Sequence, residues 1–299
     1  MPARQPFTAL CGQIASVRPE SRVDLHLHTT FSDGTYSPAE ITDLARRSGM
    51  PAFAITDHDT LEGVPVAQAA ATAFRIEVIA GVEITAEFRG REIHLLAYFV
   101  DVGNQALQSS LAQLRASRRE RFLGMIDRLR TMGIALDADD APTGADPSLG
   151  RRHLAEMMVR AKKVASVQDA FRRYLGDESR FSVPKKRLPI EEALTLVRDA
   201  GGVASWAHPS YDCTKESLTG LASQGLGAVE AYYPTTRYGR QRELRTWARQ
   251  LDLAVTGGSD CHGPDHLRRA VGAAGVSWRE LEELRDRAGS KPRAFLMQA

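Results

Sequence analysis

The sequence of 299 residues predicts an α/β barrel interrupted by an α-helical insertion. Short runs rich in β-branched residues alternate with helical stretches over residues 22–104 and again over 189–299. Residues 105–188 show only the helical spacing of apolar side chains, and no strand is evident there. Strands that alternate with helices predict parallel β/α units, and so many units predict a barrel.

Composition and charge are those of a globular enzyme, with 43% hydrophobic and 25% charged residues. A net charge of +2 does not by itself indicate a nucleic-acid partner, so we expect no binding of duplex DNA. No apolar run reaches the roughly 18 residues of a membrane span, and we expect no membrane association. The scattered Cys11, Cys213 and Cys261 fit a reducing cytoplasm. Residues 1–21 are expected to form a leader without the features of a signal peptide.

The first barrel segment, 22–104, contains four predicted strands. Residues 23–28 form the first, and Ser37 and Glu40 then flank a capping box that begins a helix ending near Gly49. A second strand over 52–56 precedes a helix over 61–74. Strands over 77–85 and 92–100 follow, with a turn over 88–91 between them.

The insertion begins with one long amphipathic helix over 107–133, closed by Gly133. Further helices are predicted over 149–163 and 167–175. The second barrel segment, 189–299, resumes the alternation with a helix over 190–200 and a strand over 202–208. Another helix, a strand over 227–233, a helix over 235–251 and a strand over 253–260 complete it.

Polar side chains lie in or just after these strands. His26 and His28 share one face of the first strand because residues two apart point the same way. Asp24 lies on the same face and is expected to orient His26. The other candidates are Asp57, His58, Asp59, Glu83, His94, His208, Asp260 and His262. Barrel strands end at one rim, so imidazoles and carboxylates would meet there and suit Mn²⁺, Fe²⁺ or Zn²⁺.

The motifs "DLHLHTTFSDGTYSP", "ITDHDT", "GVEI", "IHLLAYFV", "AHP" and "GGSDCHG", in this order, resemble the polymerase-and-histidinol-phosphatase (PHP) superfamily. The resemblance implies a distorted seven-stranded, TIM-like (β/α)7 barrel with three divalent metal ions, Mn²⁺ being favoured. Residues matching the family ligands for the first ion are His26, His28, Glu83 and Asp260. Glu83 would bridge to a second ion held by His94 and His208, and Asp33, His58 and His262 would hold the third.

The resemblance implies a metal-dependent phosphoesterase. A pair of ions lowers the pKa of a shared water, and the resulting hydroxide attacks phosphorus in line. His26, His28, Glu83, Asp260 and His262 would then form the catalytic group, and His262 or a metal-bound water would protonate the leaving oxygen.

The branch it most resembles removes the 3′-phosphate of nucleoside 3′,5′-bisphosphates, giving AMP and phosphate from the adenosine compound, or trims RNA 5′ ends. Arg151 and His153 match a "GR-x-H" stretch of that branch and are candidate phosphate contacts, against the alternative of a structural role. Ser210 departs from it, since relatives often place an arginine after the His-Pro. The expected partner is a small phosphorylated nucleotide or a short RNA 5′ end. Alternatives are a 5′-to-3′ exonuclease on short RNA, a phosphatase of the histidinol-phosphate type, and a non-catalytic metal-binding module.

Overall fold

A computed structural model describes residues 22–142, 147–176, 183–210, 213–264 and 269–288 of the chain. The strands are β1 (Ala52–Ile55), β2 (Glu77–Phe88), β3 (Arg91–Tyr98), β4 (Leu188–Pro189), β5 (Val203–Trp206), β6 (Ala228–Tyr232) and β7 (Ala254–Gly257). They form a seven-stranded sheet in the order β1-β2-β3-β5-β6-β7, and β4 pairs with β2 beside this path. The predicted leader, 1–21, lies outside the described residues.

The segment 23–28 is extended but makes only isolated bridges, so the prediction of a regular first strand was wrong. Its backbone bonds are divided between two neighbours: Ala54 N–H donates to the carbonyl of Asp24, and Asp260 N–H donates to that of His26. A side chain binds another backbone group of this segment, since Leu27 N–H donates to Thr56 Oγ1. The segment nevertheless lies between β1 and the residues after β7. It therefore joins the two edges of the sheet, and the predicted barrel is confirmed in a distorted form.

The sheet is mixed and not wholly parallel as predicted. β3 runs antiparallel to both β2 and β5, whereas the other pairs are parallel. The reason is the short turn between β2 and β3, where Arg89 and Gly90 both have positive φ angles, of 52° and 75°. This is the geometry of a tight hairpin, which forces the next strand to run back. The two-residue β4 has no counterpart among the predicted strands.

Helices pack around the strands, and three have bounds close to those predicted: α1 (Pro38–Arg47), α6 (Ile190–Asp199) and α8 (Tyr238–Gln250). α2 (Gly63–Ala71) is shorter than predicted, α7 (Lys215–Ser223) lies where a helix was predicted without bounds, and α9 (Trp278–Arg285) was not predicted. Ser37 and Glu40 form the predicted capping box of α1. Phe53 and Ile55 belong to the large apolar cluster under the helices. Their neighbours Ala52 and Ala54 belong to a second cluster, which includes Leu281 and Leu284 of α9. Alternate residues of β1 thus pack into two different apolar clusters.

Between β3 and β4 the described chain is helical. It contains α3 (Gln105–Thr131), a 3₁₀ turn (Ala138–Asp140), α4 (Arg151–Arg160), α5 (Val167–Ala170) and a π-helical turn (Phe171–Leu175). These elements share their own apolar cluster, which includes Phe122, Leu154 and Leu175. The division of the chain at 105 and 188 stays a prediction. Among the described helices, none is both long and apolar enough to cross a membrane.

Candidate metal centre

The barrel topology brings the nine predicted metal-binding side chains to one place. Four groups have ligand atoms within 4.8 Å of one another, and they overlap in membership. The groups are His28–Asp33–His58–His262, His26–Glu83–His208, His26–His28–Asp260 and His58–Glu83–His94. His94 reaches this rim from the first half of β3. It can do so because β3 runs against its neighbours.

Glu83 lies at the centre of the cluster. Its Oε1 is 2.8 Å from His94 Nδ1 and 2.9 Å from His208 Nε2. Its Oε2 is 2.9 Å from Nδ1 of His58, 3.3 Å from Nε2 of His28 and 3.5 Å from Nε2 of His26. One carboxylate therefore faces five imidazoles that come from four separate parts of the chain.

Asp260 lies beside the first histidine pair. Its Oδ1 is 3.1 Å from His28 Nε2 and 3.5 Å from His26 Nε2. Its Oδ2 accepts hydrogen bonds from the hydroxyl of Tyr233 and from Arg269 Nη1, both at 2.8 Å. These two donors fix the carboxylate so that Oδ1 faces the histidines. The thiol of the neighbouring Cys261 donates to the carbonyl of Gly263.

Asp33 forms the remaining corner with His58 and His262. Its Oδ1 is 3.2 Å from His262 Nε2 and 3.8 Å from His58 Nε2. The chain between His28 and Asp33 folds back tightly, and Gly34 makes this possible. A Cβ at Gly34 would collide with the carbonyl oxygen of His28, so no larger residue fits there without moving Asp33.

Several buried atoms of this cluster have no partner with hydrogen-bond geometry among the described residues. They are His26 Nε2, His28 Nε2, Asp33 Oδ1, His58 Nδ1 and Glu83 Oε2. Buried polar atoms are normally satisfied, because each unmet one costs free energy. A divalent cation would satisfy these nitrogens and carboxylate oxygens together. The donor set thus fits divalent metal ions.

The pKa values of the histidines reflect a competition between burial and the carboxylates. Burial lowers the pKa of His28, but the adjacent carboxylates of Asp260 and Glu83 outweigh it and raise the pKa to about 10. The same competition, with Glu83 prevailing over burial, raises the pKa of His94 to about 9. Burial prevails at His58 and lowers its pKa to about 4.

The carboxyl groups respond in the opposite sense. Burial would raise the pKa values of Asp33, Glu83 and Asp260, yet the surrounding histidines hold all three well below their ordinary range. Without a metal ion, protons on histidines therefore balance the three negative charges. A bound cation would displace these protons and supply the positive charge in their place.

Asp57 and Asp59, which flank His58, support the cluster from outside. Asp57 accepts from the backbone and hydroxyl of Thr29 and from the hydroxyl of Ser32. This holds the loop that carries Asp33. Asp59 is fully buried and pairs with Arg118 of α3, whose Nε lies 2.5 Å from its Oδ2.

Asp24 holds His26 through its backbone and not through its ring. Asp24 Oδ1 accepts from His26 N–H at 3.2 Å, and the carboxylate also accepts from the N–H groups of Ser259 and Gly272. The ring is held by Glu230 of β6, whose Oε1 lies 3.0 Å from His26 Nδ1. The available signal was a glutamate inside the apolar run 227–233. The same signal identifies Glu83 in the sequence.

The predicted phosphate contacts are only partly brought to the cluster. His153 is buried, and its pKa is lowered by burial against the opposing charge of Asp33. Arg151 instead donates to the carbonyl of Leu175, and its guanidinium lies 5.8 Å from the ring of Phe171, inside the helical segment. Their role in substrate binding stays a prediction.

Comparisons with known proteins agree with the geometry. A family model described as "PHP domain" matches residues 24–139. A 5′-3′ exoribonuclease of Haemophilus influenzae is 35% identical over 249 residues, covering 81% of this chain and 90% of the relative. A 3′,5′-nucleoside bisphosphate phosphatase of Chromobacterium violaceum is 30% identical over 277 residues, covering 88% and 97%.

A solved structure from Bifidobacterium adolescentis, described as a metal-dependent phosphoesterase, superposes with a TM-score of 0.85 at 31% identity. The superposition covers 90% of this chain and 97% of that one. The predicted resemblance and the prediction of a hydrolytic enzyme are both confirmed, which argues against the non-catalytic alternative. The chain belongs to the PHP family of metal-dependent phosphoesterases.

Proposed function

We propose that this phosphoesterase removes the 3′-phosphate of nucleoside 3′,5′-bisphosphates with the help of three divalent ions, preferably Mn²⁺. The observation that carries the proposal is the position of Glu83 among five imidazoles, with buried nitrogens and oxygens around it that lack partners in the described chain. Hydrolysis of a phosphate ester needs positive charge around the phosphoryl oxygens. A cluster that can hold several cations meets that need.

The residues proposed for each ion are those that the family resemblance implies. His26, His28, Glu83 and Asp260 would hold the first ion, and Glu83, His94 and His208 the second; in each set the imidazoles lie within 3.5 Å of a carboxylate oxygen. Asp33, His58 and His262 would hold the third. For all three ions, Fe²⁺ and Zn²⁺ are the alternatives to Mn²⁺. Bound ions of this kind supply an activated water and neutralise charge on the phosphoryl group.

The substrate would enter from the side of His94, His208 and His262. Their side chains are 19%, 29% and 13% exposed, whereas those of His26 and His28 are fully buried. His262 is held by a hydrogen bond from its Nδ1 to the carbonyl of Asp260. Its Nε2 thereby faces Asp33, in the position of a ligand to the third ion. A nitrogen that binds a metal ion has no proton to give, so a metal-bound water would protonate the leaving oxygen.

The 5′-phosphate, which is not cleaved, would be recognised from the helical segment. The charge of Asp33 acts on His153, whose Nδ1 accepts from Gly150 N–H and leaves Nε2 as the candidate contact, while Arg151 would have to leave the carbonyl of Leu175. The bisphosphate phosphatase of Chromobacterium violaceum, similar over 88% of this chain, supports the choice of substrate. A cytoplasmic location stays a prediction.

A second candidate activity is 5′-to-3′ hydrolysis of short RNA. The observation in its favour is the exoribonuclease of Haemophilus influenzae, which is 35% identical to this chain. The RNA would bind to the same ions through the same open side, and the bond hydrolysed would be a phosphodiester instead of a phosphomonoester.

The test is hydrolysis by the Mn²⁺-loaded protein of four substrates: adenosine 3′,5′-bisphosphate, AMP, histidinol phosphate and a 5′-phosphorylated oligoribonucleotide. We expect phosphate release from the bisphosphate, with AMP as the product that accumulates. Turnover of the oligoribonucleotide alone would replace the proposal with the second candidate. No turnover of any of the four would overturn both.

Asp260→Asn tests the metal dependence in the same assay. Tyr233 and Arg269 both donate to Oδ2, so the amide oxygen must stay there and the amide NH₂ must face His28. An NH₂ group cannot bind a cation, and we expect activity to fall at least about 100-fold. Asp43→Asn on the exposed face of α1 is the matched control and should keep full activity. Full activity of Asp260→Asn would contradict the proposed mechanism.

A further inference from the structure

We infer that Glu230 is a positioning residue that prepares both His26 and His208 for metal binding. The inference rests on the proposed metal site and concerns a residue that contacts no substrate. Glu230 lies in β6, and only 1% of it is exposed. Its two carboxylate oxygens are divided between two histidines from different parts of the barrel.

The first contact fixes the ring of His26. Glu230 Oε1 lies 3.0 Å from His26 Nδ1, and both side chains are buried. A carboxylate can only accept, so Nδ1 must carry the hydrogen. In the neutral ring, which is the form that binds a metal ion, the lone pair is then on Nε2, the atom that faces Glu83 and Asp260 and has no hydrogen-bond partner within the described residues. A metal ion requires this tautomer when it binds Nε2.

The second contact fixes the backbone of His208. Glu230 Oε2 accepts from His208 N–H at 2.6 Å. His208 has a φ angle of 28°, in a region that residues other than glycine rarely adopt. Such a conformation persists only where surrounding contacts hold it. The hydrogen bond to Glu230 is such a contact.

The two histidines belong to one group of candidate ligands. His26 and His208 join Glu83 in the same set, and their rings are stacked with centroids 5.8 Å apart. One carboxylate behind the site therefore controls the tautomer of one ligand and the backbone of another. Loss of its charge should weaken metal binding at this position, although Glu230 is not itself a ligand.

Glu230→Gln separates this role from simple packing, because glutamine has nearly the same shape. His208 N–H requires an acceptor, so the amide oxygen would remain there and the NH₂ would face His26 Nδ1. That arrangement favours hydrogen on Nε2, which is the wrong tautomer for the metal. We expect Mn²⁺ to bind about 10–100-fold more weakly to the full-length variant in calorimetric titration.

Glu280→Gln is the matched control. Glu280 accepts from Ser277 and Tyr232 in the cap of α9, away from the cluster. The substitution Glu280→Gln should lower the stability of the fold and leave the affinity for Mn²⁺ unchanged. Unchanged Mn²⁺ affinity in Glu230→Gln would overturn the inference.

A measurement on the unaltered protein keeps the inference testable if Glu230→Gln does not fold. Nitrogen-15 NMR of histidine-labelled, Zn²⁺-loaded protein should show His26 with hydrogen on Nδ1 and none on Nε2. Hydrogen on Nε2 in that protein would overturn the inference. Metal binding without hydrolysis of any phosphate ester would overturn the proposed function alone, so the two failures are distinguishable.

Discussion

At the scale of single residues, the chemistry depends on charged groups buried where burial is costly. Glu83, Asp33 and Asp260 are each less than 10% exposed, and the histidines around them hold their pKa values well below the ordinary range. Metal ions and protons therefore compete for the same nitrogens. This competition makes metal binding sensitive to pH.

We predict that metal binding releases protons and becomes tighter as the pH rises. The pKa values of His28 and His94 are raised to about 10 and about 9, so both are protonated near neutral pH before the ion arrives. A protonated histidine must lose the proton on the binding nitrogen before it can bind the ion. The number of protons released on metal binding should therefore fall as the pH approaches these two pKa values. Calorimetric titration of Mn²⁺ in buffers of different ionisation enthalpy measures it, and identical heats in all buffers would contradict the prediction.

At the scale of elements, the long helix α3 is fastened to the barrel by arginines within its apolar stripe. Arg118 is buried and donates to Asp59 Oδ2 and to the hydroxyl of Thr85. Arg115, one turn earlier, donates to the carbonyl of Asp59. Their spacing with Leu111, Leu114 and Phe122 places these arginines on the buried face. The helical segment is thereby tied to the residue next to His58.

We predict that Arg118→Met lowers the free energy of unfolding by about 3–5 kcal/mol, because Asp59 would keep its buried charge without its cation. Urea denaturation measures the loss. Arg119→Met removes an exposed arginine from the same helix and should change the free energy of unfolding by less than about 0.5 kcal/mol. Equal effects of the two substitutions would show that the pair with Asp59 is unimportant.

At the scale of the whole molecule, the cluster draws on most of the barrel. Its residues come from the segment 23–34, from β2 and β3, and from the ends of β1, β5 and β7. An ion bound there would contact parts of the chain that are far apart in sequence. It would therefore bind the folded state and not the unfolded one.

We predict that Mn²⁺ at about 100 times its dissociation constant stabilises the fold by about 2.7 kcal/mol. For a chain of 299 residues this corresponds to a rise in the melting temperature of about 4 °C for each ion bound, relative to protein treated with a chelator. Differential scanning calorimetry with and without the chelator measures the shift. The same comparison with Asp260→Asn should give a smaller rise, and an equal rise would indicate that the ion binds elsewhere.

Much of the site could be predicted because its signals are local. A charged or ionisable residue inside an apolar strand needs an explanation, and this pattern alone identifies Glu83 and His94. Glu230 carries the same signal in β6 and was not among the predicted site residues. Tyr233 and Arg269 carry none, since an aromatic residue after a strand and an arginine in a loop are common. Their contact with Asp260 exists only in three dimensions.

The family, the barrel and the nine candidate ligands all follow from the amino-acid sequence alone. Ligand chemistry and strand periodicity are properties of residues close together in the chain. Three features required the folded molecule: β3 pairs antiparallel with β5, residues 23–28 close the barrel without a regular strand, and Glu230 holds His26. These features depend on which strands become neighbours. Strand pairing is set by the packing of the whole barrel, and for that reason no local pattern contained it.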